Sequence, residues 1–143
     1  MIEARKYLSD KGIHFSQQRI AIMDYLLKNR THPTADEIFW ALSPSMPTLS
    51  RTTVYNTLRL FLESGAIQVI KIDEKNVRFD ADTSMHGHFL CDKCGAIHDV
   101  PLSEGADPIV LDNPHLCDFE VNSIHIYYHG TCPQCLKNHI NNI

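Results

Sequence analysis

Two pairs of cysteines are the side chains in this sequence best suited to holding a metal ion. Cys91 and Cys94 form one C-x-x-C pair and Cys132 and Cys135 form a second, with 37 residues between the pairs. A C-x-x-C turn directs two thiolates at one point, and two such turns supply the four ligands of a closed tetrahedral site. We therefore predict one structural Zn²⁺ per chain. The alternatives are unrelated buried thiols, as we expect for Cys117, or a redox pair on a βαβ unit, a pattern that the sequence lacks.

A second group of candidate ligands mixes imidazoles with carboxylates. It comprises His32, Asp80, His86, His88 and Asp99. Nitrogen and oxygen donors of this kind suit a divalent first-row ion such as Fe²⁺, Mn²⁺ or Zn²⁺. His86 and His88 are two residues apart in a β-favouring run, so both side chains can lie on one face. Each of these residues alone is ordinarily a surface or hydrogen-bonded group. Their clustering just before the first cysteine pair favours a second metal site.

The helix predicted from Ser50 to Glu63 has a face that could read DNA. Its apolar side comprises Val54, Leu58 and Phe61. The polar side chains beside that stripe could contact base edges or phosphates, and they are Arg51, Thr52, Tyr55, Asn56 and Arg59. In the major groove, Arg can bond guanine or phosphate and Asn can bond adenine. The alternative is an amphipathic helix whose polar face is only solvated.

Two shorter helices are predicted before this one and a hairpin after it. Ser16 is expected to cap a helix that ends near Asn29, and Thr34-Ala-Asp-Glu37 has the sequence of a capping box. Gly65 suits the left-handed position that ends the third helix. Two short β-favouring runs follow, with a turn predicted at residues 73–75. Three helices and a hairpin are the order of a winged helix-turn-helix domain.

The remaining half of the chain predicts a different organisation, beginning after a hinge-like stretch at 81–85. Strands are expected on both sides of the first cysteine pair and over 119–130, and a short helix is expected at the end of the chain. The prolines in 101–115 leave room only for a short helix. We predict an α+β protein with two domains: a winged-helix DNA-binding domain at 1–82 and a C-terminal α/β domain at 83–143.

Charge is distributed in agreement with this division. Residues 1–72 carry nine Lys or Arg against six Asp or Glu, whereas residues 83–143 carry two against seven, in a chain of net charge −4. A mildly basic module is compatible with a nucleic-acid partner. No apolar run approaches the roughly 20 residues that a membrane span needs. The N-terminus is too polar for a secretory signal. We therefore expect a cytoplasmic protein without a membrane partner.

Five segments resemble the ferric uptake regulator (Fur) family over nearly the whole chain. They are HPTADEIF (32–39), RTTVYNTLRLFLESGAI (51–67), RFD (78–80), HGHFLCDKCGAIHDV (86–100) and YYHGTCPQC (127–135). The resemblance implies a winged-helix domain, a dimerisation domain, and a homodimer that binds double-stranded DNA at an AT-rich palindromic operator. It also implies a structural zinc on the four paired cysteines. A regulatory Fe²⁺ or Mn²⁺, one per chain, would bridge the domains on His32, Asp80, His86, His88 and Asp99.

Within that family, the regulatory site resembles the peroxide-sensing (PerR-like) branch. Asp99 occupies a position where that branch has Asp and iron sensors typically have Glu, and Met85 and Gly87 stand where iron sensors often carry extra ligands. The resemblance implies a repressor in which peroxide oxidises His32 or His86, so that the iron and then the DNA are released. The alternatives are an iron- or other metal-uptake regulator of this family or, from another class, a zinc-dependent hydrolase or metal-storage protein. We expect no enzyme, because no additional general base stands out.

Overall fold

The computed structural model of the chain describes residues 2–72, 76–84, 86–101, 114–121 and 124–141. The chain forms two compact units, Met1–Thr83 and Ser84–Ile143. No helix within the described ranges is long and apolar enough to cross a membrane.

The first unit has four helices followed by a two-stranded sheet. In chain order they are α1 (Ile2–Asp10), α2 (Gln17–Lys28), α3 (Ala35–Leu42), α4 (Arg51–Glu63), β1 (Gln68–Ile70) and β2 (Arg78–Asp80). The two strands are antiparallel, with Val69 opposite Phe79. This order is the predicted winged helix-turn-helix, preceded by the unpredicted α1. The predicted turn at 73–75 lies outside the described residues.

Local capping explains why these helices begin where they do. Ser16 and Ser50 each accept a hydrogen bond from the backbone N–H three residues on, at 3.1 Å in both cases. The capping box is complete: the Thr34 hydroxyl accepts from Glu37 N at 3.2 Å, and the Glu37 carboxylate accepts from Thr34 N at 3.3 Å. After α4, Gly65 has φ of +72°. The predicted caps at Ser16, Thr34 and Gly65 are therefore confirmed.

Apolar side chains from all four helices and the sheet form one core in this unit. The largest buried members are Leu8, Ile22, Met23, Leu26, Ile38, Val54, Leu58 and Phe61, and the sheet contributes Phe79. Each contributes about 1.5–3 kcal/mol by removal from water. The core therefore fixes which face of α4 points inward and which face remains exposed.

The second unit has a three-stranded sheet and a closing helix. Its elements are β3 (His86–Cys91), β4 (Ile97–Pro101), a 3-10 turn (Pro114–Leu116), β5 (Tyr127–Gly130) and α5 (Pro133–Asn141). The central strand β3 is antiparallel to β4 and parallel to β5. The short helix expected in 101–115 falls mostly on residues outside the described ranges.

The strand predicted over 119–130 is shorter than expected. Among its described residues, 119–121 and 124–126 are not in a strand, and only 127–130 pair with β3. A strand needs a partner along its length, and β3 has only two residues before His88, where the pairing begins. The prediction was wrong for residues 119–121 and 124–126, because a high β propensity does not ensure that a neighbouring strand is available to pair with.

Few apolar side chains of the second unit are buried. Among its described residues, the buried hydrophobic side chains are those of Cys91 and Cys132. An apolar core of the kind found in the first unit is therefore absent from the described part of this unit. The interactions of the cysteines must contribute much of what holds it together.

Candidate metal centres and nucleic-acid interface

The four paired cysteines lie together in the second unit. The Sγ atoms of Cys91 and Cys135 are 3.7 Å apart, and those of Cys94 and Cys132 are 3.8 Å apart. All four sulfurs lie within 4.8 Å of one another. Thiolates placed about 2.3 Å from a tetrahedral ion are about 3.8 Å from each other. The sulfurs therefore have the spacing that one Zn²⁺ requires.

Backbone structure brings these cysteines to one point. Cys91 is the last residue of β3, and a tight turn returns the chain: Gly95 N donates to the Cys91 carbonyl at 2.9 Å, and Gly95 has φ of +76°. Cys132 immediately precedes Pro133, the first residue of α5. Proline suits that position because its missing N–H would have no partner inside the helix. Each cysteine pair is therefore held by a turn at the end of a regular element.

The surroundings of Cys91 favour its thiolate form. Its Sγ accepts backbone hydrogen bonds from Cys94 N at 3.5 Å and Cys132 N at 3.3 Å. These two N–H groups favour the charged form and lower the pKa of Cys91 to about 6. Cys135 has the opposite environment: its neighbour Cys132 and burial raise its pKa to about 12. Such a cluster favours a cation that neutralises several thiolates at once.

Cys117 differs from the expectation for it. It was expected to be packed as an apolar residue, but it is exposed and lies outside the four-cysteine cluster. It follows the 3-10 turn Pro114–Leu116, whose three residues are also exposed. The prediction was wrong because a lone cysteine carries no spacing pattern that reports its surroundings.

In the first unit, His32 and Asp80 form a buried pair. His32 Nε2 is 3.5 Å from Asp80 Oδ2, and both side chains are about 3% exposed. The backbone N–H of Asp82 donates to Asp80 Oδ1 at 2.9 Å, which fixes the carboxylate. His32 has φ of +57° and is the one non-glycine residue with positive φ in the described part of the chain. This left-handed conformation was not predicted from the sequence.

In the second unit, two histidines converge on one carboxylate oxygen. Asp99 Oδ1 is 3.3 Å from His86 Nε2 and 3.4 Å from His88 Nε2. Asp99 is the partner of His88 in the β3–β4 register, which explains the contact. His86 Nδ1 is 2.8 Å from the Ser84 carbonyl, which can only accept. The proton of a neutral His86 is therefore on Nδ1, and Nε2 has a lone pair available for a metal.

The candidate regulatory ligands thus fall into two groups, one in each unit. Each group consists of imidazole nitrogens and carboxylate oxygens, the donor types that Fe²⁺ and Mn²⁺ accept. Within each group the nitrogen and oxygen atoms that face each other are 3.3–3.5 Å apart.

The predicted DNA-reading residues are displayed on one face of α4. Val54, Leu58 and Phe61 are buried, as predicted. The five polar residues of the proposed contact face, Arg51, Thr52, Tyr55, Asn56 and Arg59, are all exposed. A large polar cleft of about 470 Å³ borders this face and includes Asn56 among its lining residues.

Two groups of supporting residues were not anticipated. The Arg51 guanidinium lies 5.3 Å and 5.4 Å from the ring centroids of Phe39 and Trp40. Arg78 Nη1 donates to the His32 carbonyl at 3.1 Å. The sequence did contain a signal for the Arg78 contact. Arg78 and Asp80 are two residues apart on a strand, so their side chains project to the same face, and Asp80 is a candidate ligand together with His32. Nothing in the sequence of α3 indicates the Arg51 contact.

A family model identifies the chain over most of its length. Residues 10–128 match the model of the ferric uptake regulator family. Among curated relatives, the peroxide-responsive repressor PerR of Staphylococcus epidermidis is 38% identical over 128 residues, which is 90% of this chain and 85% of that protein. The PerR of Staphylococcus aureus is also 38% identical, over 90% of this chain and 86% of its own.

Solved structures agree with that match. The iron-containing ferric uptake regulator from Francisella tularensis superposes with a TM-score of 0.71 at 25% identity, covering 87% of this chain and 96% of that one. PerR from Streptococcus pyogenes, described with a structural basis for peroxide sensing and gene regulation, gives a TM-score of 0.51 at 28% identity, covering 93% and 90%.

Proposed function

The chain belongs to the ferric uptake regulator family, and we propose that it is a peroxide-responsive repressor of that family. It is a transcriptional regulator and not an enzyme. The observation that supports the peroxide-responsive type is the 38% identity with PerR proteins over nine-tenths of the chain. We assign DNA binding to residues 1–82, and metal binding and dimerisation to residues 83–143.

Two metals have different roles in this proposal. Cys91, Cys94, Cys132 and Cys135 hold one structural Zn²⁺ per chain, and the sulfur spacing supports this assignment. One Fe²⁺ or Mn²⁺ per chain binds as the regulatory ion. Its ligands are His32, Asp80, His86, His88 and Asp99. The donor types and the close pairing within each unit support that set.

The first unit contacts DNA through α4. Arg51, Thr52, Tyr55, Asn56 and Arg59 face the duplex, an AT-rich palindrome bound by a homodimer. The buried opposite side of α4 keeps these residues in place. Regulatory metal shifts the protein toward the conformation that binds DNA, by as much as its affinities for the two conformations differ.

Peroxide acts through a histidine ligand. An Fe²⁺ held by these ligands would supply the redox chemistry that cleaves the O–O bond of peroxide, and its oxidation state would be the same before and after the net reaction. One oxygen atom replaces the hydrogen of an imidazole C–H in His32 or His86, and the other leaves as water, so the histidine is oxidised and the peroxide reduced. The modified ring is a poor ligand, so metal affinity and then DNA affinity fall. Each molecule responds once.

A DNA-shift assay tests the proposal. Zinc-retaining protein, stripped of regulatory metal, is given Mn²⁺ or Fe²⁺ and a palindromic duplex, before and after peroxide. We expect both metals to support binding and peroxide to abolish it only in the iron form. Iron-dependent binding that persists through peroxide would favour the second candidate, a metal-uptake regulator, which the iron-containing structural relative supports. Metal-dependent turnover without DNA binding would contradict both.

A further inference from the structure

The backbone of the proposed metal ligand His32 has an unusual conformation. Its φ of +57° lies in the left-handed region, which residues other than glycine rarely adopt. A residue stays in that region only when its surroundings hold it there. The contacts of the His32 backbone therefore bear on where its imidazole points.

Arg78 is the residue that holds this backbone. Its Nη1 donates to the His32 carbonyl at 3.1 Å. The strand that carries Arg78 also bonds to the residue after His32, because Phe79 N donates to the Pro33 carbonyl at 3.0 Å. Asp80, the other proposed ligand of this unit, ends the same strand. One strand thus fixes the main chain of one ligand and carries the other.

Arg78 also reaches the first helix of the helix-turn-helix. The same Nη1 is 3.9 Å from Glu37 Oε1, and the other oxygen of Glu37 accepts from Thr34 N in the capping box of α3. The Arg78 side chain is only 17% exposed, and its Nε is buried without a hydrogen-bond acceptor among the described atoms. A buried donor left unsatisfied is unfavourable for stability, so packing alone is a weak reason for arginine here.

We propose that Arg78 is a positioning residue for the regulatory metal: it holds His32 in the left-handed conformation that aims the imidazole at Asp80. This inference rests on the proposed function, because it takes His32 and Asp80 as ligands. Without the guanidinium, the His32 backbone relaxes, and metal binding must restore the unfavourable conformation. Supporting residues of this kind typically change metal affinity 10- to 100-fold.

The test is the Mn²⁺ affinity of zinc-loaded Arg78→Gln, measured by calorimetry beside its urea unfolding without Mn²⁺. We expect Mn²⁺ binding at least about tenfold weaker than in the wild type. The urea midpoint should change little, because the lost hydrogen bond is offset by relief of the backbone. Removing a positive charge near a cation site would by itself tighten Mn²⁺ binding, so the expected effect has the opposite sign to simple electrostatics.

Matched variants make the result specific. Arg30→Gln removes a cation that lies 4.0 Å from Asp82, whereas the hydrogen bond to the His32 carbonyl comes from Arg78. It should bind Mn²⁺ at least as well as the wild type. Arg78→Lys, which keeps the charge with a shorter reach, should recover part of the affinity. If Arg78→Gln does not fold, Arg78→Lys carries the test: Mn²⁺ binding weaker than in the wild type is expected, and wild-type affinity would overturn the positioning role.

The outcomes separate this inference from the proposed function. His32→Ala should lose regulatory Mn²⁺ binding, and wild-type affinity in that variant would overturn the ligand assignment and this inference with it. If His32→Ala loses Mn²⁺ but Arg78→Gln binds it as tightly as the wild type, only the positioning role is overturned. A lowered urea midpoint with unchanged Mn²⁺ affinity would make Arg78 a purely structural residue.

Discussion

Replacing Cys132 with serine should release the zinc and unfold the second unit while the first unit remains folded. Cys132 supplies one of four sulfurs at tetrahedral spacing, and its backbone N–H donates to Cys91 Sγ. A serine hydroxyl does not ionise near neutral pH and is a poor ligand for Zn²⁺. Three thiolates would remain around the ion.

The size of the effect follows from what else holds this unit. A four-ligand structural zinc contributes about 10–16 kcal/mol at neutral pH, so an even share per ligand is about 2.5–4 kcal/mol. That loss weakens zinc binding about 10²- to 10³-fold. A folded domain has a net stability of only about 5–15 kcal/mol, most of it from apolar burial. Among the described residues of this unit, only Cys91 and Cys132 are buried hydrophobic side chains.

The two units can be followed separately. Trp40 is the single tryptophan of the chain and lies in α3, so its fluorescence reports on the first unit. Amide exchange at Asp92, whose N–H donates to the Gly130 carbonyl at 2.8 Å, reports on the second. Zinc per chain is measured after gel filtration with a chelator too weak to strip the wild type. Cys117→Ser is the matched control, because it removes an exposed thiol outside the cluster.

We expect Cys132→Ser to lose its zinc and its Asp92 protection, with the tryptophan transition in urea unchanged. Cys117→Ser should behave as the wild type does. A Cys132→Ser protein that retains one zinc per chain and slow exchange at Asp92 would refute the assignment of Cys132 as a zinc ligand. Equal zinc loss in both variants would show that the measurement does not report on this site.

Three further results are expected. Arg59→Ala should weaken operator binding in fluorescence anisotropy without lowering the urea midpoint, and unchanged affinity at physiological salt would remove Arg59 from the interface. Leu58→Ala, which truncates a side chain that is 1% exposed, should lower the free energy of unfolding by about 2–5 kcal/mol, measured by urea denaturation. Asp99→Glu should keep metal-dependent DNA binding but lose much of the oxygen addition to His32 or His86 that mass spectrometry detects in the iron form. Equal oxidation of the manganese-loaded protein would exclude iron as the source of that chemistry.

Features determined by neighbouring residues were predictable from the sequence. The caps at Ser16, Thr34 and Ser50 depend on a side chain and a backbone N–H three residues apart, so a few letters contain all the partners. The cysteine cluster was predictable for a related reason. Each C-x-x-C pair is local, and the tetrahedral preference of zinc accounts for the meeting of the two pairs.

Features determined by distant partners were not predictable. Helix α1 buries only Ala4 and Leu8, too few apolar residues to give a periodic pattern, and its position depends on a core built mostly by later helices. The length of β5 depends on where β3 begins. The left-handed conformation of His32 is held by Arg78, which is 46 residues away. In each case the deciding interaction joins segments that the sequence does not place side by side.

The distribution of buried groups also bears on why two metals can have different roles in one chain. The four clustered cysteines all belong to one unit, which lacks an apolar core in its described part, so we expect zinc binding and folding of that unit to be coupled. An ion held in that way is not released while the unit remains folded. The proposed regulatory ligands are contributed by two units, the first of which has a core of its own. In the proposed function that ion must be exchangeable, because a ligand shifts a conformational equilibrium only by the difference between its affinities for the two conformations.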